Sequence, residues 1–145
     1  MALAALTACS SARMSIPVQQ VGTFNAAERV FPSEATLVVH DQQSWLNLWS
    51  QMARNRVPTP PAPAVDFTQN MLLVAAAGDR PTGGFSVAIT EVTQVGGGLA
   101  ANVTVTSPGS NCVVTQAITS PVQVVSIPRS NMAVNFQVRQ EIRNC

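Results

Sequence analysis

The clearest periodicity in the chain falls near its end, where Met132, Val134, Phe136 and Val138 alternate with Ala133, Asn135, Gln137 and Arg139. A period of two sends successive side chains to opposite faces, so this segment is predicted to be a β-strand with one buried face. The same rhythm marks Phe85, Val87 and Ile89, and then Leu99, Ala101, Val103 and Val105. Gly96, Gly97 and Gly98 separate these two runs, which predicts a β-hairpin. Segment 71–77 (MLLVAAA) is apolar without alternation, the pattern of a strand covered on both faces. Strands are also predicted at 18–24, 36–40 and 122–127, the last closed off by Pro128. Turns are predicted at 78–84, 96–98 and 107–111. The period changes once: Trp45, Leu48, Trp49 and Met52 fall at helical spacing, with Asp41 placed to cap the first turn. Both tryptophans then lie on one side of the helix, where core packing is their expected role. Pro58, Pro60, Pro61 and Pro63 keep the helix from continuing past Val57 and leave an extended linker within the domain. One helix followed by hairpin-connected strands predicts an α+β fold, a predominantly antiparallel β-sheet domain with one N-terminal amphipathic helix.

Composition narrows the partners. The chain has 145 residues, 46% hydrophobic and 10% charged, with a net charge of +1. All its basic residues are Arg, scattered along the sequence rather than gathered in the stripe that phosphate-backbone binding needs, so no nucleic-acid partner is expected. The start, MALAALTACSS, runs from small apolar residues through Leu6, Thr7 and Ala8 into Cys9 and then into polar residues. This matches a bacterial lipobox, although no basic residue precedes the apolar stretch and that stretch is short. The expected organisation is a residual signal peptide at 1–8, a lipidated tether at 9–19 beginning with Cys9, and a single domain at 20–145. The lipid would attach the protein to a membrane of the bacterial cell envelope, with the outer membrane favoured. With Cys9 lipidated, Cys112 and Cys145 remain as an even pair in an oxidising compartment. A disulfide between them is expected; two free buried thiols are the alternative.

Candidate chemistry is sparse. His40 is the only histidine, so a Ser–His or Cys–His couple has one possible base, placed beside a helix start. No G-x-S-x-G elbow and no Lys-containing phosphate loop occurs. Metal ligands are too few to cluster, and no cofactor or metal is expected. Seven acids are present, of which Asp41 and Asp66 have turn or capping roles, so an acid pair has few candidates left. The chain is therefore expected not to be an enzyme, with an uncharacterised envelope enzyme as a minor alternative.

The most distinctive segment is Asp79, Arg80, Pro81, Thr82, Gly83, Gly84 and Phe85, between the unalternating strand and the hairpin. Its glycines permit unusual backbone angles or the close approach of another chain. Arg80 and Thr82 are expected to offer exposed donors; the alternative is a purely structural turn. Asp66 and Phe67, the apolar strand, the run 78–87 (GDRPTGGFSV), and the later run 114–121 (VTQAITSP) leading into 122–128 together resemble the C-terminal domain of the PrcB family. The resemblance extends over roughly 36–138, with Phe85 and Val122 standing where that family usually has Tyr. It implies a lipoprotein subunit of a bacterial protease complex, binding or stabilising an exported protease. The surface expected to bind that partner is Arg80, Pro81, Thr82, Gly83, Gly84 and Phe85 with the Arg129 turn beside them. Bulkier residues at Gly83 and Gly84 are expected to weaken capture without unfolding the domain. The Pro81-Thr82-Gly83 loop is also similar to the loop of chagasin-type cysteine-protease inhibitors, although the later loops depart from that family's spacing.

Overall fold

The computed structural model describes residues 13–145, so Cys9 and the predicted signal peptide lie outside the described residues. Two four-stranded sheets stack face to face. One holds β1 (Met14–Ser15), β5 (Ser86–Val95), β6 (Gly98–Pro108) and β8 (Val134–Arg143), in that order. The other holds β2 (Gln19–Asn25), β7 (Pro121–Pro128), β4 (Asn70–Ala76) and β3 (Ala35–Val39). The one helix among the described residues, α1 (Gln42–Met52), packs on the far face of the second sheet. The molecule is thus three layers: helix, sheet, sheet.

That layering explains the apolar run. Met71, Leu73 and Ala75 of β4 face the first sheet, among Val87, Val92, Leu99, Ala101, Val103 and Val105. Leu72, Val74 and Ala76 face the helix, among Trp45, Trp49 and Met52. A strand buried on both faces has no reason to alternate, and here both its neighbours, β3 and β7, run antiparallel to it. Asp41 caps α1, accepting from the Ser44 N–H at 2.8 Å and from its hydroxyl. Those two bonds hold the Asp41 carboxyl below the usual carboxylate range. Asp66 closes its own turn through the Thr68 hydroxyl and N–H, which lower its pKa in the same way. The proline-rich linker accepts the two indole N–H groups: Trp45 Nε1 donates to the Pro63 carbonyl at 3.0 Å and Trp49 Nε1 to that of Pro60 at 2.8 Å. Tryptophans buried on a helix need such partners, and a stretch poor in N–H donors of its own supplies them.

Three expectations are corrected. The segment expected to be a tether joins the fold at residue 14, where β1 pairs with β5 and the Ile16 N–H donates to the Val92 carbonyl at 2.9 Å. The turn expected from residue 107 starts later, because β6 continues through Ser107 and Pro108. The last strand is not part of a hairpin: β8 pairs with β6 in parallel, from Leu99↔Val134 to Pro108↔Arg143, after the chain has crossed to the other sheet to form β7.

The hairpin strand β5 carries a bulge between Ile89 and Glu91. There the Ile89 N–H turns inward and donates to Oε1 of Gln123, a buried polar side chain on β7. A buried amide between two sheets would otherwise be costly, and the bulge supplies its partner. Among the described residues no helix is long and apolar enough to cross a membrane.

Candidate functional site

The distinctive 78–85 loop leaves the buried strand β4 and enters β5 at one end of the sandwich. The same end receives segment 109–120, between β6 and β7, and the close of β8. The two loops are laced together. Arg80 and Thr119 form an isolated antiparallel bridge, N–H to carbonyl in both directions at 2.7 and 2.9 Å. The Gly83 N–H donates to the Thr115 carbonyl at 2.9 Å, and the Thr119 hydroxyl to the Thr82 carbonyl at 2.8 Å.

The side chains are turned to the same use. Arg80 Nε donates to the Ala77 carbonyl at 2.9 Å, its Nη2 pairs with Glu34 at 3.1 Å, and its guanidinium lies 5.2 Å from the centre of the Phe85 ring. The Thr82 hydroxyl donates to the Gly83 carbonyl at 2.9 Å, so Arg80 and Thr82 are both engaged within the fold. Asp79 accepts from the Arg29 N–H at 3.0 Å, holding Arg29 in a left-handed conformation at φ 69°. The loop is a laced platform in which Pro81 is the one exposed residue along 79–85.

Its glycines admit their own chain, not a foreign one. A Cβ on Gly83 would collide with the Thr115 hydroxyl. Gly84 has φ 89°, and a Cβ there would lie 2.8 Å from Cγ1 of Val114 and 3.0 Å from Cβ of Pro108. Bulkier residues here are thus not neutral to the fold, contrary to the sequence expectation. Gly84→Val is expected to destabilise the domain by about 1–3 kcal/mol through overpacking and a strained backbone. Urea denaturation would measure it, and an unchanged midpoint would show that the loop relaxes freely.

Arg129 is not beside this loop. It follows β7 at the Asn70 end of β4, while Arg80 follows the Ala76 end. Six residue steps of strand separate the two ends, about 20 Å. Arg129 is held there by the carbonyls of His40, at 3.2 Å, and Phe67, at 2.6 Å. Sequence proximity to the strand end suggested closeness; the antiparallel pairing of β4 with β7 puts the residues after each strand at opposite ends.

The laced end exposes two large apolar side chains among polar ones such as Asn111, Thr115 and Gln116. Val113 is fully exposed and Ile118 is 54% exposed, both on segment 109–120. That segment is pinned at its start by the Cys112–Cys145 disulfide, Cα–Cα 5.1 Å, and by the Gly109 N–H donating to the Arg143 carbonyl at 2.8 Å. The bridge to Arg80 pins its other end. Sequence reading gave Val113 and Ile118 no role of their own, because the apolar pairs at 113–114 and 117–118 are too short to carry a sustained period. A concavity of about 560 Å³ lies on the outer face of the first sheet, lined by polar and apolar residues alike, among them Glu91, Asn102, Asn135, Ala100 and Val95. Among the described residues no three His, Cys, Asp or Glu side chains group as metal ligands would.

The two laced loops and the four strands that carry them fall within one stretch of sequence. Residues 71–128 match the PrcB C-terminal family. The match takes in β4, β5, β6 and β7, the central pairs of both sheets, together with both laced loops. It is narrower than the resemblance read from sequence: the tryptophan helix and β8 lie outside it. Comparison with curated proteins and with solved structures found no match.

Proposed function

We propose that the protein is a non-catalytic, lipid-anchored accessory subunit of the bacterial cell envelope that binds and stabilises an exported protease through the laced end of its sandwich. The match of residues 71–128 to the PrcB C-terminal family carries this reading. Within that match, rigid loops present Val113 and Ile118 to solvent, and exposed apolar side chains on a fixed scaffold suit protein recognition. The lipid on Cys9 would hold the platform at the membrane, with the outer membrane favoured. An inhibitor that pushes the 80–85 loop into a cleft has less support, since the Thr82 carbonyl and Gly83 N–H are already bonded to segment 115–119.

The test is affinity capture of the lipidated protein from its own membranes, with co-purified chains identified. A protease should accompany the parent protein and be lost from Val113→Asp/Ile118→Asp, while Arg129→Ala, at the opposite end, should retain it. Equal capture by the double variant would remove the platform from the proposal. Cys9→Ser should move the protein from the membrane to the soluble fraction, and an unchanged membrane fraction would defeat the anchor.

A further inference from the structure

The first sheet ends in β8, a ten-residue strand hydrogen-bonded to β6 on one side. Among the described residues nothing pairs with its other edge. Seven consecutive residues, 137–143, are exposed. An unpaired edge of this length is a template for another strand unless something blocks it. The usual blocks are short length, prolines or bulges, and β8 has none of them. It carries charges instead: Arg139, Glu141 and Arg143.

We propose that this edge pairs with a second copy of the same strand, antiparallel about a two-fold axis through Gln140, joining two first sheets into one continuous eight-stranded sheet. The register follows from symmetry and charge. A two-fold axis that continues a sheet stands perpendicular to it, so each face of one copy meets the same face of the other. Opposed residues must therefore share a face, which centres the axis on a residue and not between two. Centred on Arg139, the pairing sets that arginine against its own copy. Centred on Glu141, it opposes two glutamates and also sets Arg139 against Arg143. Centred on Gln140, Arg139 faces Glu141 of the second copy twice over, and Val138 faces Ile142. Opposed charges and apolar pairs support an antiparallel ladder, and like charges directly opposite destabilise it.

The exposed side chains agree with that centre. Val138 and Ile142 are 43% and 72% exposed on the face that otherwise points toward the second sheet. Arg139 and Glu141 already meet at 2.8 Å within one strand on the outer face, so the pairing would build a four-charge cluster from side chains oriented for it. A strand pair with few flanking contacts buries less than a standard interface, so association is expected in the micromolar range rather than below it.

The full chain carrying Cys9→Ser, to keep it free of lipid, would be studied by sedimentation equilibrium over a wide concentration range. The expected result is a monomer–dimer equilibrium. Glu141→Arg or Arg139→Glu alone should weaken self-association roughly tenfold or more, because each opposes like charges at two symmetric places. Mixing these two single variants should restore association as a heterodimer, as should combining both changes in one chain. Gln140→Cys should form a symmetric cross-link on mild oxidation and Gln137→Cys should not. Circular dichroism of each variant would separate loss of pairing from loss of fold, since all four positions are exposed. A chain that stays monomeric at every concentration overturns the proposal and leaves the edge to a strand from a different protein. Dimerisation that ignores the charge variants, or that cross-links at Gln137, overturns it equally.

Discussion

Replacing Trp45 by Ala is expected to lower the stability of the domain by about 3–5 kcal/mol. That corresponds to a fall in melting temperature of roughly 10–20 °C for a chain of this size. Trp45 is completely buried between α1 and the second sheet. Its ring centroid lies 5.8 Å from that of Trp49, which in turn meets Phe24 edge-on at 5.1 Å. Truncation would leave a cavity too well walled to collapse, since the opposing Leu72, Val74 and Val124 sit on strands fixed by two neighbours each. It would also strip the Pro63 carbonyl of its indole donor. Leu46, on the exposed side of the same helix, is the natural control, and Leu46→Ala should change the melting curve little. Thermal unfolding followed by circular dichroism measures both. A Trp45→Ala variant that melts within a few degrees of the parent would mean that helix and sheet are joined far more loosely than their packing indicates.

Loss of the disulfide comes next in size. Cys112 and Cys145 are separated by 33 residues, and constraining a loop of that length in the unfolded chain is worth about 3–4 kcal/mol in the chain-entropy model. The enclosed stretch contains both β7 and β8, one from each sheet, so the bond restrains the unfolded chain across both layers. In the folded state the same region keeps other ties, from Gly109 to Arg143 and from Asn111 to Cys145, which would persist after reduction. The effect should therefore show mainly as a shifted denaturation midpoint with unchanged native spectra. Guanidinium titrations with and without reductant would display that shift. Cys112→Ser/Cys145→Ser should match the reduced protein and ignore reductant. No shift on reduction of the parent would mean that the cysteines are not bonded in solution.

Strands and helix were legible in the sequence wherever one physical rule dominated. Trp45, Leu48, Trp49 and Met52 have no reading other than a helix face, and the alternating runs locate β5, β6 and β8. The unalternating run 71–77 announced a strand covered on both faces, although its neighbours turned out antiparallel. What could not be read was how the strands pair. Nothing local to residues 134–143 says that their partner is β6 rather than β7, because pairing is decided by which layer the chain enters. The misplacement of Arg129 has the same origin: its distance from Arg80 depends on strand direction, which periodicity does not encode. The 78–85 loop was found by its glycines and arginine, but their purpose was not. Whether a glycine admits a partner or its own chain is settled by Thr115 and Val114, some thirty residues away. Val113 and Ile118 were invisible for the opposite reason, being significant only because the disulfide and the Arg80–Thr119 bridge hold them in place.

The parallel pairing of β8 with β6 bears on how the molecule can acquire its structure. Between those strands the chain must travel to the other sheet and lay down β7 between β2 and β4. Each sheet is completed by a strand from the last quarter of the chain, β7 in the second and β8 in the first, and the two share the apolar layer between them. Assembly should then be a single cooperative event, slowed by the long-range closures it requires.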